Sequence, residues 1–223
     1  MAAPRALWRG LVELVLPLCC AGCGRHGAAW CPDCAAGVGR PRFVGGLPAL
    51  PPVVAAGRYA GPLRAALLGY KERGRRELAG PLAGQLHAAL RGCPLPVAER
   101  CWLVPAPSRR AAVRARGHDH VRTLAERLAE LLAANVAVGV GCALRMRGGG
   151  RDSVGLSPAA RAANLLGRVG VDRSRLPPPG AEVLVIDDVV TTGVTLRHCV
   201  AALSEAGVPV RGALVLCDAT GAS

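Results

Sequence analysis

Large aromatic side chains are scarce: one Phe, two Tyr and three Trp among 223 residues. A core without rings must be filled by Leu, Val and Ala, and a hydrophobic content of 51% allows a sizeable one. The same scarcity argues against gripping single-stranded nucleic acid by base stacking. Acids are also few, 15 against 28 Lys+Arg, so the formal net charge is +13. A basic surface attracts polyanions; a polyphosphorylated metabolite is one such partner and nucleic acid another. Ala, Gly, Arg and Pro are abundant throughout, which reads as base-composition bias and weakens any functional reading of the charge. No apolar run reaches the roughly 20 residues of a membrane span. Leu11–Leu18 is interrupted by Glu13, and neither a small-residue cleavage site nor a lipoprotein pattern precedes Cys19. Residues 5–16 are expected to form a short amphipathic helix in a cytoplasmic protein without membrane insertion. The length suits one domain plus a small appendage.

Cysteine is not lacking, and it is clustered. Five of the ten lie between Cys19 and Cys34. Cys20-Ala-Gly-Cys23 and Cys31-Pro-Asp-Cys34 form two CxxC knuckles, each able to bring two thiolates onto one metal. Together they suit a tetrahedral structural Zn²⁺ site. So short a segment has no core of its own, so metal binding must supply its folding free energy, on the order of 10 kcal/mol. A pair of disulfides is the competing reading, and it loses in a reducing compartment. Cys20 fits CxxC spacing better than Cys19, and His26 is expected at the surface. The other cysteines, Cys93, Cys101, Cys142, Cys199 and Cys217, are scattered and expected to be inert.

Residues 37–52 are rich in Gly and Pro and read as a linker, with the domain boundary at 41–52 between an amino-terminal segment 1–40 and a main domain 53–223. Val53–Arg58 reads as an edge strand. Two helices with a break near Gly74 follow; Leu78, Leu82, Leu86 and Leu90 make the second one's core stripe. Trp102–Pro107 reads as a strand running into a turn. Ser108, Arg109 and Arg110 stand at its carboxyl end, a location suited to an anion. Residues 121–134 form an amphipathic helix buried through Leu124, Leu128, Leu131 and Leu132. His118 and His120, flanking Asp119, read as loop residues beside a pocket in preference to metal ligands. Val136–Val140 and Ala143–Arg145 suggest strands. The basic stretch from Met146 to Pro158, with Arg147 and Arg151, is either a lid that closes over a site or a surface loop. Ser157 reads as an N-cap, and Arg161 and Asn164 share a helix face. Pro177–Pro179 form a rigid turn, and Val208–Cys217 is the last strand.

The centre of the chain is Val183–Thr195, VLVIDDVVTTGVT. Val183–Ile186 reads as a strand buried on both faces. It ends in Asp187 and Asp188, followed by Thr191, Thr192, Gly193, Val194 and Thr195 and then a helical pattern. Hydroxyls and free N–H groups at a helix N-terminus suit a phosphate. Gly193 lets the backbone approach closely. The carboxylates instead suit a diol or a bound Mg²⁺.

This stretch resembles the phosphoribosyl pyrophosphate (PRPP) loop of type I phosphoribosyltransferases. The resemblance implies that the acid pair holds the ribose hydroxyls and that Thr191–Thr195 wraps the 5′-phosphate. With the cysteine knuckles the chain resembles the ComF family of competence-associated proteins over nearly its whole length. The matching pieces are Leu16-Pro17 before the knuckles, Tyr59 with Leu63-Arg64, Tyr70-Lys71, Val104-Pro105-Ala106-Pro107, Arg116-Gly117-His118-Asp119, and Leu156-Ser157 with Arg161 and Asn164. Ser153 stands where a Gln is usual and Asp119 where an Asn is usual.

The expected fold is therefore α/β: a parallel sheet flanked by helices, like that of type I phosphoribosyltransferases, with a Cys₄ zinc-ribbon segment at the amino terminus. The resemblance implies PRPP–Mg²⁺ as ligand, Asp187 and Asp188 as catalytic residues, and pyrophosphate near Ser108, Arg109 and Lys71. Arg147, Arg151, Arg161 and Asn164 would form a hood or outer support. A nitrogen nucleophile would be the acceptor, linked to DNA uptake or nucleotide salvage. Competing readings are a regulator that binds PRPP without turnover and an accessory protein handling single-stranded DNA with competence partners. A homo-oligomer is compatible with all three.

Overall fold

A computed structural model describes residues 18–95, 100–134, 136–147 and 169–221. The expected helix at 5–16, together with Arg151, Arg161 and Asn164, lies outside the described residues. Within them the fold is α/β: a mostly parallel sheet flanked by helices, with an amino-terminal cluster of four cysteines. That is the expected class.

The cysteine segment contains one short helix, α1 (Pro32–Ala36), started by Cys31 and a proline in the first turn. The stretch read as a linker supplies β1 (Arg42–Phe43). This pairs antiparallel with β2 (Val53–Arg58) through Arg42–Ala55 and Phe43–Val54. The edge position expected for β2 thus falls to β1. The cause is composition. Residues 53–57 are buried, so the strand needs neighbours on both sides. A two-residue strand with a half-exposed Phe43 makes a harmless edge.

Helix α2 (Gly61–Glu72) begins with a proline in its first turn. It stops before Gly74, whose φ of 66° is left-handed. A 3₁₀ turn (Arg76–Leu78) leads into α3 (Ala79–Gly92). Leu78, Leu82 and Leu86 are fully buried and Leu90 is partly so. Strand β3 (Arg100–Pro105) leads to α4 (Arg110–Arg116), a helix the sequence did not announce. Gly117 ends α4 in the left-handed region, and Asp119 caps α5 (His120–Leu132) by accepting from the Arg122 amide. Next come β4 (Ala137–Val140), β5 (Leu144–Met146) and β6 (Val169–Val171), the last two forming a separate antiparallel pair. Strand β7 (Glu182–Val190), α6 (Val194–Glu205) and β8 (Val210–Asp218) close the fold.

The sheet order is β1-β2-β8-β7-β3-β4, parallel except for β1. Side-chain alternation splits the core into two layers. Leu184 and Ile186 of β7 join Leu103, Leu214 and the faces of α2, α3 and α5. Val183 and Val185 join Val104, Val215 and the buried face of α6. From β3 the chain passes through α5 outward to β4; from β7 it passes through α6 the opposite way to β8. The β3–β7 boundary is therefore the switch point, where a crevice opens beyond the carboxyl ends of the strands.

Strand β7 is longer than expected. It runs through Asp187 and Asp188 to Val190, paired with β8 through Asp187–Val215 and Val190–Asp218. Its pairing with β3 stops at Pro105–Ile186. Among the described residues, one edge of the acid-bearing end thus has no paired strand.

Close approach distinguishes the glycines. A Cβ at Gly57 would lie 2.8 Å from Val38 Cγ1 and 2.9 Å from its carbonyl oxygen, whereas Gly80 and Gly84 of α3 face open space. Gly80→Ala and Gly84→Ala should each raise stability by about 0.5–1 kcal/mol. Gly57→Ala should lower it by about 1–3 kcal/mol. Denaturant unfolding of the three variants checks both signs.

Candidate functional site

Among the described residues three polar side chains are fully buried: His120, Asp187 and Asp188. They meet at the crevice end of β7. Asp188 Oδ2 accepts from Lys71 Nζ at 2.6 Å and from His120 Nε2 at 2.8 Å. Lys71, in the last turn of α2, is the chain's one lysine. Arg116 Nη1 lies 3.2 Å from the other ring nitrogen, His120 Nδ1. A guanidinium cannot accept a hydrogen bond, so Nδ1 is the acceptor and the ring proton sits on Nε2, aimed at Asp188. The Tyr70 hydroxyl donates to the His120 carbonyl at 3.0 Å, and its ring stands edge-on to His118 and His120. Glu72 lies 3.7 Å from Arg116.

The two acids sit on opposite sides of the strand's alternation and differ electrostatically. Asp187 takes the α6-side parity, and its Oδ1 accepts from the Asp188 amide at 2.8 Å. Burial, reinforced by the negative charge of Asp188, pushes the Asp187 carboxyl up to about 8. Burial opposes ionisation of Asp188 too, but the His120 hydrogen bond and the Lys71 charge outweigh it and hold that carboxyl well below the usual range. Near neutral pH the pair carries about one negative charge, on Asp188.

Three residues further on, the chain turns. Thr191 and Thr192 are exposed, and Gly193 is buried with φ 72° as the cap of α6. Val194 and Thr195 are the first two residues of that helix. Among the described residues no side chain caps it, so its first-turn N–H groups have no side-chain partner. Arg197 donates to the Thr192 carbonyl at 2.7 Å. A Cβ on Gly193 would come within 2.9 Å of Leu47 and 3.2 Å of Leu50, so the linker stretch backs the loop.

Across the crevice, Ser108 follows β3 and donates to Asp119 Oδ1 at 3.0 Å, while Arg109 caps α4. Lys71 pairs with Asp188. Arg147, at the end of β5, lies against Gly170 of β6. Ser108 and Asp119 also border a cavity of about 320 Å³.

The four knuckle cysteines converge. The Sγ atoms of Cys20, Cys23, Cys31 and Cys34 all lie within 4.8 Å of one another. A tetrahedral Zn²⁺ with bonds of about 2.3 Å needs sulfurs about 3.8 Å apart, and Cys23–Cys31 is 3.7 Å. The Cys31 amide donates to Cys20 Sγ and the Cys34 amide to Cys31 Sγ, each at 3.4 Å. Burial opposes ionisation of Cys20, but the amides of Cys31, Cys23 and Gly22 bring its thiol down to about 6. Cys19 lies outside the quartet, 3.4 Å from His26 Nδ1. The donor set fits zinc. The segment is tied to the main fold by the Arg75 guanidinium on the Cys19 carbonyl at 2.6 Å.

His120 is the residue the sequence reading put in a loop. It is the first residue of α5 and fully buried. Its signal was its spacing, because His120, Leu124 and Leu128 form one buried stripe at intervals of four. The partnership with Asp188, 68 residues away, had no such signal.

No family model matches the chain, and no curated protein matches it. Solved structures similar in fold include orotate phosphoribosyltransferase from Aeropyrum pernix (22% identity, 70% of this chain and 64% of that one, TM-score 0.37). Another is hypoxanthine phosphoribosyltransferase from Trypanosoma cruzi (18% identity, 66% of each chain, TM-score 0.36). A third is an allosteric regulatory enzyme of purine biosynthesis (23% identity, 60% of this chain and 25% of that one, TM-score 0.35). The chain spans just under two thirds of the length of the first two. At these values the likeness concerns the fold and says nothing of ligands.

The acid pair makes stability depend on pH with a definite sign. Asp187 holds its proton more tightly folded than unfolded, where an Asp titrates near about 4. Stability therefore declines as pH rises from about 4 to about 8 and levels off above that. Asp188 contributes the opposite way; its stabilisation is present above about 4 and is lost as pH falls below it. Asp187→Asn should flatten the decline, its advantage over the wild type growing towards pH 8 in denaturant titrations. Asp188→Asn should cost about 1–3 kcal/mol at pH 7, because Lys71 and His120 lose a charged acceptor. A decline of unchanged slope in Asp187→Asn would contradict this assignment.

Proposed function

We propose that this is a phosphoribosyltransferase-like protein that binds PRPP with Mg²⁺ and transfers the phosphoribosyl group to a nitrogen acceptor. The observation that carries the reading is the continuous run from Asp187-Asp188 to the uncapped amino end of α6, lying at the sheet's switch point. A ligand bound there meets two carboxylates and, one loop later, a set of free amides and two Thr hydroxyls. A molecule with a diol and a phosphate at opposite ends of one sugar matches that order. In this reading Thr191, Thr192, Gly193, Val194 and Thr195 hold the 5′-phosphate, and Asp187 and Asp188 hold the ribose hydroxyls and the hydrated Mg²⁺ that arrives with the substrate. Lys71 moves from Asp188 towards the diphosphate, which Ser108 and Arg109 also meet. Arg147, with Arg151, Arg161 and Asn164 beyond the described residues, completes the hood. Chemically, the C1–O bond breaks and its electron pair leaves with diphosphate. The acceptor nitrogen forms the new C1–N bond and releases its proton to solvent. The protein's part is positioning and charge stabilisation.

The same proposal assigns a structural Zn²⁺ to Cys20, Cys23, Cys31 and Cys34, and a three-part organisation of 1–40, 41–52 and 53–223. It takes the whole as ComF-like, acting in the cytoplasm in nucleotide salvage or DNA uptake. A second reading, a PRPP-binding regulator without turnover, draws support from the Lys71–Asp188 ion pair, which occupies the diol-binding carboxylate.

Labelled PRPP with Mg²⁺ and a panel of nitrogenous bases tests the reading. Binding with diphosphate release for some acceptor supports transfer, and binding without release for any of them supports the regulator. No binding, with salt-dependent DNA binding instead, would sink both. Two variants sharpen this. Asp187→Ala with Asp188→Ala should abolish PRPP binding and leave the zinc content intact. Cys23→Ser should remove zinc, read by metal analysis, since three thiolates no longer close the site.

A further inference from the structure

The cavity of about 320 Å³ beside Ser108 is not used by any of the PRPP contacts above except Ser108 itself. Pro107, Val113, Leu144 and Met146 give it an apolar floor, and the exposed Arg110, Arg114 and Arg145 also line it. Arg110 and Arg114 are one helical turn apart on α4, so they share a face. Arg145 comes from β5 on the other side.

These three arginines differ from their neighbours. Arg116, Arg122, Arg127 and Arg175 each have a carboxylate within 4 Å. Among the described residues Arg110, Arg114 and Arg145 have none. Arg145 acts at longer range on Asp172, whose carboxylate is already taken by Ser174. Asp119, the one acid in the lining, accepts from Ser108 and caps α5, so its Oδ1 is engaged within the protein. Among the described residues the cavity lining thus carries three positive charges against one negative, around an apolar floor.

We infer that this cavity is the acceptor site and that it selects a compact nitrogen nucleophile bearing an acidic group, a carboxylate or a phosphate. The inference rests on the PRPP reading for the word acceptor, and on the cavity alone for the acid. A neutral base would give the three exposed arginines no counter-charge, and among the described residues no Asn or Gln lines the cavity to read its edges. An anion bridges two or three of them with charge-assisted hydrogen bonds. The apolar floor decides between the two anions the reaction offers. The departing diphosphate has no carbon to place there, whereas the carbon body of an organic acid buries against Val113, Leu144 and Met146. The volume lies at the small end of ligand pockets, about 300–1,000 Å³, which suits a single ring and its acid group.

The test uses the full-length protein and two sets of probes. Orotate, nicotinate, quinolinate and anthranilate are acidic nitrogen nucleophiles; adenine, hypoxanthine and uracil are neutral ones. Calorimetry is run with each probe, with and without PRPP and Mg²⁺, and diphosphate release is measured in parallel. At least one acidic probe should bind and release diphosphate while the neutral bases do neither. Arg110→Gln and Arg114→Gln should each weaken the acidic probe about tenfold without changing the PRPP dissociation constant. Arg127→Gln, outside the cavity, should change neither. Equal binding of neutral bases overturns the inference, as does an arginine effect that falls on PRPP or diphosphate while acidic probes are untouched. If PRPP fails to bind at all, the phosphoribosyl reading fails. The cavity is then judged by the acidic probes alone, and its acid selectivity stands or falls on whether they bind in an Arg114-dependent manner.

Discussion

The carboxylate of Asp188 is the point on which this structure turns. It is buried at the end of a central strand, where an unpartnered charge would cost several kcal/mol. The Lys71 ammonium and the His120 ring, brought from two different helices, converge on its Oδ2 and offset that cost. Each partner has support of its own. Arg116 sets the tautomer of His120, and Tyr70 holds the backbone of the same residue. The helices α2 and α5 are thereby tied to β7 by a polar contact as well as by apolar packing, and the crevice between β3 and β7 acquires its shape.

A consequence is the asymmetry of the two acids. With Asp188 ionised and stabilised, burial of Asp187 and the negative charge of its neighbour outweigh the pull of Lys71, so it keeps its proton. One neutral and one charged carboxyl side by side can both donate to and accept from vicinal hydroxyls. Two equally charged groups could only accept. Beyond them in the chain comes the amino end of α6, with no side-chain cap among the described residues. The linker stretch backs Gly193 through Leu47 and Leu50, and Arg75 ties Cys19 of the amino-terminal segment to the turn after α2.

Much of this was legible from local pattern. The CxxC spacing located the four thiols that converge, because two residues between cysteines set their geometry without help from the rest of the chain. The apolar run at Val183–Ile186 marked a doubly buried strand for a similar reason, and the Thr-Gly turn before a helical repeat marked its exit. Where local pattern misled, tertiary pairing was the cause. Val53–Arg58 looked like an edge, but β1, formed from a Gly/Pro-rich stretch, pairs outside it. Asp187 and Asp188 looked like the end of a strand, but continued pairing with β8 carries the strand past them.

The sequence alone determined the class of fold, the four-cysteine cluster and the acid-Thr-Gly run, because each depends on neighbours within a few residues or on periodicity along one element. Only the tertiary structure decided that Lys71 and His120 serve Asp188, that Asp187 and Asp188 carry different charges, and that Arg110, Arg114 and Arg145 surround one cavity. Those facts depend on distances between residues tens of positions apart, which β7's place between β3 and β8 establishes and no local pattern records.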